Sequence, residues 1–336
     1  MFTWPPKVSL GLGTMHWGTT PLDKVIAGKI ITDEEISLIQ NRAASAGVTF
    51  IDTAEGYGGG SSERRLGRLR FSQSGFLIAT KFIPTYWRWT PQAVVRAIRA
   101  SNRRLGIESC DLGFVHSPIH PRSPDVWIKG FARAHEAKLI KAVGLSNFNA
   151  EQVRQAAQVA KEEGVPLVAN QIQFNLLVAA STSLKETVQA CHENGLTVVG
   201  YSVLGQGLLT DGLTERRWDK SVLAKRLKLS REELTPLRNT ILKIAQNRNC
   251  RMSQVCLAWA RAHHVVPLVG TRSLSQWEDS LDGLGVTLTQ DETQELDSLA
   301  LGRSTFDRAR SQRLLILGFL SLLMTAYKVS SVFRAR

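Results

Sequence analysis

The sequence predicts an α/β fold, a (β/α)8 TIM barrel followed by a C-terminal hydrophobic helical tail. Short apolar runs rich in β-branched residues alternate with longer amphipathic segments along most of the 336 residues. This strand-then-helix alternation extends over about 260 residues, a size typical of the barrel. The rival doubly wound sheet is disfavoured, because the segment GLGTMHWG places its third glycine too late for a dinucleotide-binding turn. We therefore predict a barrel over residues 1–302 and a tail over residues 303–336.

The strands and helices of this barrel have readable ends. In TDEEISLIQNRAASAG, Thr32 can cap a helix, the acidic residues after it favour the positive helix start, and Gly47 can end it. Similar helix signals lie between the other apolar runs. The strands are predicted at residues 9–14, 49–53, 76–81, 112–116, 142–146, 168–173, 197–201 and 266–270.

Composition and charge limit the classes of function that the protein can have. An apolar content of 43% with 21% charged residues is typical of a folded enzyme and excludes intrinsic disorder. The net charge of +13 indicates an anionic partner, either a phosphorylated cofactor, nucleic acid or a membrane face. The basic residues of the body are scattered without a nucleic-acid-binding signature, so we expect no nucleic-acid partner. The 4 cysteines lack CxxC spacing and the start lacks a targeting segment, which predicts reduced thiols and a cytoplasmic protein.

Four chemically active side chains lie where predicted strands end. Asp52 ends the second strand, Tyr57 follows in its loop, Lys81 ends the third strand and His116 ends the fourth. Each alone has a simple structural explanation, such as a turn cap or a solvated strand end. Because barrel active sites lie at the carboxyl ends of the strands, we expect the four groups to converge on one mouth.

Seven motifs resemble those of aldo-keto reductases in order and spacing. They are FIDTAEGYG, ATKF, DLGFVHSP, KAVGLSNFN, NQIQFNLL, GYSVLGQGLLT and VPLVGTRS, and the resemblance spans residues 8–301. It implies an NAD(P)H-dependent oxidoreductase acting on the CH–OH group of donors, and a small-molecule carbonyl compound as its substrate. It also implies that Asp52, Tyr57, Lys81 and His116 form the catalytic tetrad.

The chemistry explains why these groups suit that reaction. Reduction of a carbonyl by a hydride leaves an alkoxide that needs a proton, which Tyr57 would supply as general acid. A free phenol has a pKa of about 10, so we expect Lys81 to lower the pKa of Tyr57 and Asp52 to hold Lys81 in place. A neutral His116 would orient the carbonyl oxygen. The glycines after Tyr57 would let the backbone turn this side chain inward.

The resemblance also implies contacts to the cofactor at the later strand ends. The residues are Ser146, Asn147 and Gln171 at the carboxamide, Tyr201 stacked on the nicotinamide ring, Ser202, Leu204 and Gly207 along the pyrophosphate, and Gly270, Thr271, Arg272 and Gln276 at the adenosine. Arg272 offers a planar charged fork to a 2'-phosphate, so NADPH (NADP+) is the expected cofactor. Ser280 departs from the family, in which many members carry asparagine at this place.

Aromatic residues on the predicted mouth loops are candidates for substrate binding. They are Trp17, Tyr86 and Trp87, with Met15, His16 and Trp89 beside them. Such side chains suit a moderately apolar carbonyl compound, and loop packing is the alternative explanation. The pattern leaves the individual substrate open.

Three other functions are weighed against a reductase, and one of them, a purely structural binding protein, is disfavoured by the intact tetrad. A barrel hydrolase could bind a metal through His16, His116 and His120, but no Asp/Glu set accompanies them at ligand spacing, so no metal is expected. The resemblance also leaves open a cofactor-binding regulatory or scaffold subunit with the same barrel and only slow turnover. An oligomer with weak turnover would distinguish that subunit from an enzyme.

The tail combines an uncharged apolar stretch with flanking arginines. Residues 314–327 carry no charge, and as a helix these roughly 14 residues would extend about 21 Å, short of the hydrocarbon core. Continuing to Phe333 gives a sufficient length but includes Lys328. Three arrangements stay open: a short membrane span, a helix in the membrane interface, or a helix packed on the barrel or another subunit. We hypothesise that residues 314–333 associate with a membrane surface.

Overall fold

In the computed structural model, which describes residues 8–85, 87–118 and 124–303, parallel strands close into one barrel. Each strand pairs with the next along the chain, and β8 returns to pair with β1. The predicted fold class is thus confirmed, and the tail lies outside the described residues from residue 304 onwards. The strands are β1 (Gly11–Gly13), β2 (Phe50–Asp52), β3 (Leu77–Phe82), β4 (Cys110–Val115), β5 (Ile140–Ser146), β6 (Leu167–Gln173), β7 (Thr197–Tyr201) and β8 (Val265–Gly270).

Helices surround the barrel, and their starts follow the predicted capping chemistry. Thr32 accepts a hydrogen bond from the backbone N–H of Glu35, and the Glu35 carboxylate accepts one from the backbone N–H of Thr32. The helices are α1 (Pro21–Ala27), α2 (Asp33–Ser45), α3 (Ser61–Arg68), α4 (Pro91–Leu105), α5 (Asp125–Glu136), α6 (Ala150–Glu162), α7 (Thr182–Glu193), α8 (Glu215–Asp219), α9 (Val222–Leu227), α10 (Arg231–Asn247), α11 (Met252–Ala262), α12 (Leu274–Asp282) and α13 (Gln290–Leu299).

Two apolar clusters form the core, one inside the barrel and one between the barrel and its helices. The inner cluster includes Phe50, Ala79, Leu112 and Phe114. Because side chains alternate between the faces of a strand, residues two positions further along the same strands also point inward. That step reaches Asp52, Lys81 and His116, so the inner apolar cluster supports these polar groups from below.

Among the helices of the described ranges, none has the length and apolar character needed to cross a membrane. The membrane contact predicted for residues 314–333 lies outside those ranges, as do all residues of the tail except Arg303. Arg303 forms an ion pair with Glu233, and its backbone N–H donates to the carbonyl of Leu177.

Candidate active site

Three of the predicted tetrad side chains are joined by direct contacts. The ammonium of Lys81 forms an ion pair with Asp52 and donates a hydrogen bond to the Tyr57 hydroxyl over 3.1 Å. It also donates to the backbone carbonyl of Thr53 over 3.0 Å. Asp52 and Lys81 are each only 1% exposed, while Tyr57 is partly exposed. The buried pair therefore ends at a phenol that reaches the surface of the mouth.

The loop after β2 holds Tyr57 in this position through left-handed glycines. Gly58 and Gly59 have φ values of 55° and 59°, a region that favours glycine. A Cβ on Gly58 would lie 2.3 Å from the Ser61 Oγ and 2.5 Å from the Gly18 Cα. A larger residue at Gly58 would thus both strain the turn and collide with the loop after β1.

Burial governs the ionisation of the tetrad in this structure. It raises the pKa of the Tyr57 phenol, and Lys81 only partly opposes that rise. Lys81 thus lowers the pKa of Tyr57 relative to a phenol buried without it, as expected, but the net pKa stays above its ordinary value, because loss of water around the phenolate outweighs the nearby positive charge. Burial also opposes the charge of Lys81, but Asp52 and Tyr57 together raise the pKa of this ammonium. The phenol is thus protonated at neutral pH and lies beside a cation.

Gln171 at the carboxyl end of the barrel contacts the same cluster. Its side-chain N–H donates to the second carboxylate oxygen of Asp52 over 2.9 Å, in a fully buried contact. Burial raises the pKa of Asp52, whereas Lys81 and Gln171 oppose the rise. Lys81 and Gln171 thus each bind a different oxygen of Asp52, which fixes the orientation of the carboxylate.

His116 lies edge-on to Tyr57 and is uncharged. The two ring centroids are 5.9 Å apart with an interplanar angle of 82°. Burial, followed by the charge of Lys81, lowers the pKa of His116 to about 3. The Nδ1 atom of His116 has no hydrogen-bond partner among the described residues. A neutral imidazole with an unsatisfied buried nitrogen thus lies beside the tetrad phenol.

A second set of hydrogen-bonded polar residues extends from His116, after β4, past the end of β5 to the end of β7. The Asn147 amide N–H contacts the backbone carbonyl of His116 at 3.3 Å and the Ser146 Oγ at 3.1 Å. The Tyr201 hydroxyl donates to the Asn147 Oδ1 over 2.8 Å. Burial raises the pKa of Tyr201 to about 12, with Arg226 opposing the rise. The structure thus brings together Ser146, Asn147 and Tyr201, which the resemblance implied at the nicotinamide end.

The loop after β7 carries the residues expected along the pyrophosphate. Ser202 adopts a left-handed conformation with φ 54°, and its carbonyl accepts a hydrogen bond from the Asn175 side chain over 2.9 Å. Leu204 and Gly207 are partly exposed, and nothing lies within 4 Å of a Cβ built on Gly207. This loop therefore leaves open space beside its backbone.

The end of β8 provides a positively charged surface. The Arg272 charge helps to lower the pKa of His16, after burial, which places its guanidinium near the loop that follows β1. Arg272 directly precedes the start of α12, whose cap is Ser273, and its backbone N–H donates to the Gln276 side chain over 3.0 Å. A guanidinium beside a helix N-terminus suits an anionic group.

The remaining predicted residues of this end have distinct surroundings. Gly270 is exposed and Thr271 is buried, with its hydroxyl donating to the Ser273 carbonyl. The Ser280 hydroxyl donates to the Gln276 carbonyl over 3.0 Å within α12. Since Ser280 is only 2% exposed, it has little surface with which to replace a family asparagine at an adenine.

The predicted substrate contacts divide into three cases. Trp17 is fully buried, and its indole N–H donates to the Thr271 carbonyl over 3.0 Å, so it packs in the core and presents no surface to a substrate. Its predicted substrate contact is therefore replaced by a structural role. Tyr86 lies outside the described residues. Trp87, in contrast, is 57% exposed in the loop after β3.

An ion pair beside the site was not among the sequence predictions. Both carboxylate oxygens of Glu55 accept hydrogen bonds from the guanidinium of Arg88, which joins the loop after β2 to the loop after β3. The sequence draws attention to only one partner of this pair, because Glu55 lies between the two predicted catalytic residues of the motif FIDTAEGYG. Its partner, 33 residues further along, has no such signal.

No group of three or more His, Cys, Asp or Glu side chains within the described ranges is arranged to hold a metal ion. Of the histidines weighed as ligands, His120 falls outside those ranges. The donors at the mouth are instead amides, hydroxyls, an ammonium and Arg272. This set fits an anionic dinucleotide bound across the strand ends.

Comparisons with known proteins identify the family. A model of the Aldo/keto reductase family matches residues 9–301. The chain is 32% identical over 312 residues to the chloroplastic pyridoxal reductase of Arabidopsis thaliana, covering 88% of this chain and 84% of that protein. It is 29% identical over 294 residues to the aldo-keto reductase yakc [NADP(+)] of Schizosaccharomyces pombe, covering 79% and 82%.

Solved structures show the same architecture. The thermostable aldo-keto reductase Tm1743, solved with the inhibitor epalrestat, superposes with a TM-score of 0.67 at 26% identity, covering 87% of this chain and 94% of that one. The holo form of the aldo-keto reductase AKR11C1 from Bacillus halodurans gives a TM-score of 0.71 at 21% identity, covering 90% and 95%, and supports the fold. The chain belongs to the aldo/keto reductase family and is an NAD(P)H-dependent oxidoreductase.

Proposed function

We propose that the chain reduces an aldehyde or ketone to an alcohol with NADPH, and that Tyr57 is the general acid. The contact of the Tyr57 hydroxyl with the Lys81 ammonium, 3.1 Å apart, is the observation that carries this proposal. A phenol that keeps its proton and lies beside a buried cation can donate that proton and stabilise the resulting phenolate. Asp52 positions the cation through their ion pair and does not meet the substrate.

The other residues of the mouth bind and orient. NADPH, when bound, supplies a hydride to the carbonyl carbon. Burial and the charge of Lys81 hold the pKa of His116 at about 3, so its neutral ring can donate a hydrogen bond to the carbonyl oxygen without competing for the Tyr57 proton. Ser146, Asn147, Gln171 and Tyr201 would hold the nicotinamide end. The loop after β7 and the start of α12 would hold the phosphates.

Replacement of Tyr57 by Phe tests the acid. We expect Tyr57→Phe to bind NADPH as the wild type does and to lose about 10²- to 10⁴-fold in kcat, since only proton donation is removed. Thr80→Val is the control, because it also removes one hydroxyl but leaves the tetrad and the proposed cofactor contacts intact. Turnover of Tyr57→Phe within threefold of the wild type would refute the role of the acid. Wild-type turnover near background with intact NADPH binding would favour the regulatory subunit.

Arg272 supports the choice of NADPH over NADH. Arg272 directly precedes Ser273, the cap of α12, and the similar yeast protein is named for NADP(+). If Arg272 binds the 2'-phosphate, Arg272→Ala should weaken NADPH binding by about 1.5 to 3 kcal/mol and leave NADH binding nearly unchanged. Equal weakening of both cofactors, measured by fluorescence titration, would contradict this role.

The substrate class we propose is an aromatic aldehyde of the pyridoxal kind. The plant protein with 32% identity is named a pyridoxal reductase, and the exposed indoles of Trp87 and Trp89 offer flat apolar surface near the mouth. Chromatographic detection of pyridoxine formed from pyridoxal and NADPH tests this class. A kcat/KM for pyridoxal no higher than that for propanal would argue against it.

A further inference from the structure

The loop between β3 and α4 carries two tryptophans that are more than half exposed. Trp87 and Trp89 are 57% and 54% exposed. The tryptophans of the core, among them Trp127 and Trp259, are at most 1% exposed. The loop begins directly after the strand that carries Lys81, so it lies at the carboxyl end of the barrel, beside the site. The loop thus presents two flat apolar side chains at the carboxyl end of the barrel.

Arg88, the residue between the two indoles, is anchored at three points. Its guanidinium contacts both oxygens of Glu55, with 3.1 Å between Nη2 and Oε2. It also donates to the Ile83 carbonyl over 3.2 Å, and its Cζ lies 5.2 Å from the centre of the Phe82 ring. The side chain of Arg88 is 21% exposed and that of Glu55 only 8%. We refer to Glu55 and Arg88 together as the loop clamp.

The loop clamp connects the tryptophan loop to the loop that carries Tyr57. The Glu55 carboxylate accepts a hydrogen bond from the backbone N–H of Ile83 over 2.7 Å, and the Glu55 N–H donates to the Lys81 carbonyl over 3.3 Å. The two loops also touch at Gly56, where an added Cβ would lie 2.7 Å from the Ile83 Cδ1. The loop that carries the two indoles is thus joined to the loop of the general acid through one short set of contacts.

We propose that the loop clamp determines substrate specificity by holding Trp87 and Trp89 where they bind a flat apolar group on the substrate. The clamp itself touches neither the reacting atoms nor the cofactor, so Arg88 and Glu55 are positioning residues. The inference rests on the proposed carbonyl reduction and deepens it. A bidentate guanidinium fixes both distance and plane, which suits positioning better than a single charge would.

The matched variants are Arg88→Met and Arg248→Met. Arg248 forms a similar bidentate pair with Glu292, between α10 and α13, with side-chain exposures of 28% and 20%. We expect Arg88→Met to lower the ratio of kcat/KM for pyridoxal to kcat/KM for propanal about tenfold, mainly through KM for pyridoxal, because stacking is lost. Arg88→Lys should lower it about threefold. Arg248→Met should leave the ratio unchanged.

A double-mutant cycle tests whether the clamp acts through the indoles. In a variant that already carries Trp87→Ala and Trp89→Ala, adding Arg88→Met should change the ratio by less than about twofold. A further tenfold loss in that background would overturn the proposal. So would an equal loss for pyridoxal and propanal in Arg88→Met, which is the result expected of a contact that serves only stability.

Amide hydrogen exchange provides a readout that does not need turnover. The N–H groups of Ile83 and Arg88 donate to Glu55 and to the Thr85 carbonyl, so Arg88→Met should speed their exchange at least about tenfold, and Arg248→Met should not. If the wild type reduces neither aldehyde, the proposed function fails, and the clamp is judged by exchange alone. Unchanged exchange in Arg88→Met overturns the clamp in either case.

Discussion

Thr80 and Lys81 are neighbours on β3, yet their side chains enter two buried ion-pair clusters on opposite faces of the barrel wall. Inside, Lys81 pairs with Asp52 and contacts Tyr57. Outside, the Thr80 hydroxyl donates to Glu63 over 2.6 Å, and Arg104 donates to the second oxygen of Glu63 over 2.5 Å. Asp52 and Glu63 are at most 1% exposed. The two clusters thus each pair a buried carboxylate with a cation, although the Arg104 side chain is 18% exposed and that of Lys81 only 1%.

They differ in what the buried pair leads to. In the inner cluster the cation contacts a partly exposed phenol, and a neutral His116 with an unsatisfied nitrogen lies next to it. In the outer cluster each Glu63 oxygen has its own donor, and those contacts link β3 to α3 and α4. A buried ion pair alone therefore does not indicate catalysis. The proton donor at its end distinguishes the inner cluster.

The largest expected difference between the clusters is in turnover. Lys81→Met should lower kcat/KM about 10²- to 10⁴-fold, because the phenolate formed at Tyr57 loses its counter-charge. The variant should be assayed below its melting temperature, since Asp52 is left without its cation. A loss of less than about tenfold in folded protein would remove the distinction between the clusters.

The outer cluster should show the opposite behaviour. Arg104→Met leaves Glu63 buried without its cation, so we expect the free energy of unfolding to fall by about 3 kcal/mol. Turnover of the folded variant should stay within about threefold of the wild type. Chemical denaturation and steady-state kinetics measure the two effects on one preparation. A loss of turnover comparable to that of Lys81→Met would show that the clusters are coupled.

His116 gives the inner cluster a dependence of stability on pH. The unfolded imidazole takes up a proton below about pH 6.5, whereas the folded one does not until about pH 3, so stability falls as the pH drops through this window. Allowing for partial exposure of the ring, the wild type should lose about 1 to 2 kcal/mol more between pH 7 and pH 5 than His116→Asn does. If the free energy of unfolding falls by the same amount between pH 7 and pH 5 in both proteins, the result would contradict a neutral His116.

The smallest effect is expected from Thr80→Val. This change removes one hydrogen bond to Glu63, so the free energy of unfolding should fall by about 1 kcal/mol. Although Thr80 is adjacent to Lys81 in the chain, turnover should not change, because the side chain points to the other face. A clear loss of kcat would mean that a change in the outer cluster also alters the inner cluster.

Much of the inner cluster could be predicted from the sequence, because strand ends and their loops are visible as local patterns. The alternation of apolar runs placed all of the barrel strands within a few residues of their bounds, and Asp52, Lys81 and Tyr57 meet as expected. The outer cluster left no such signal. Glu63 and Arg104 are 41 residues apart on helices, and a charged helical residue is usually solvated.

Two features of the site that the sequence did not reveal have physical causes, the direction of the Trp17 side chain and the net pKa of Tyr57. Trp17 follows β1, so its place in the sequence suggests a residue of the mouth. Its indole instead packs in the core against Phe71, with 5.9 Å between the two ring centroids. A short 3-10 turn at Met15–Trp17 decides that direction, and no local pattern specifies it. The pKa of Tyr57 depends on how many neighbours exclude water from the phenol. That number is a property of the whole fold and not of the motif.

The pH dependence of kcat/KM in wild type and Tyr57→Phe tests the central claim most directly. Reduction needs the protonated phenol, so activity is lost as the pH rises through the pKa of Tyr57. Because burial raises this pKa, wild-type kcat/KM should stay level from about pH 6 to pH 9 and fall only above about pH 10. In Tyr57→Phe the residual rate should be low and without that alkaline fall. The same alkaline fall in both proteins would contradict Tyr57 as the general acid.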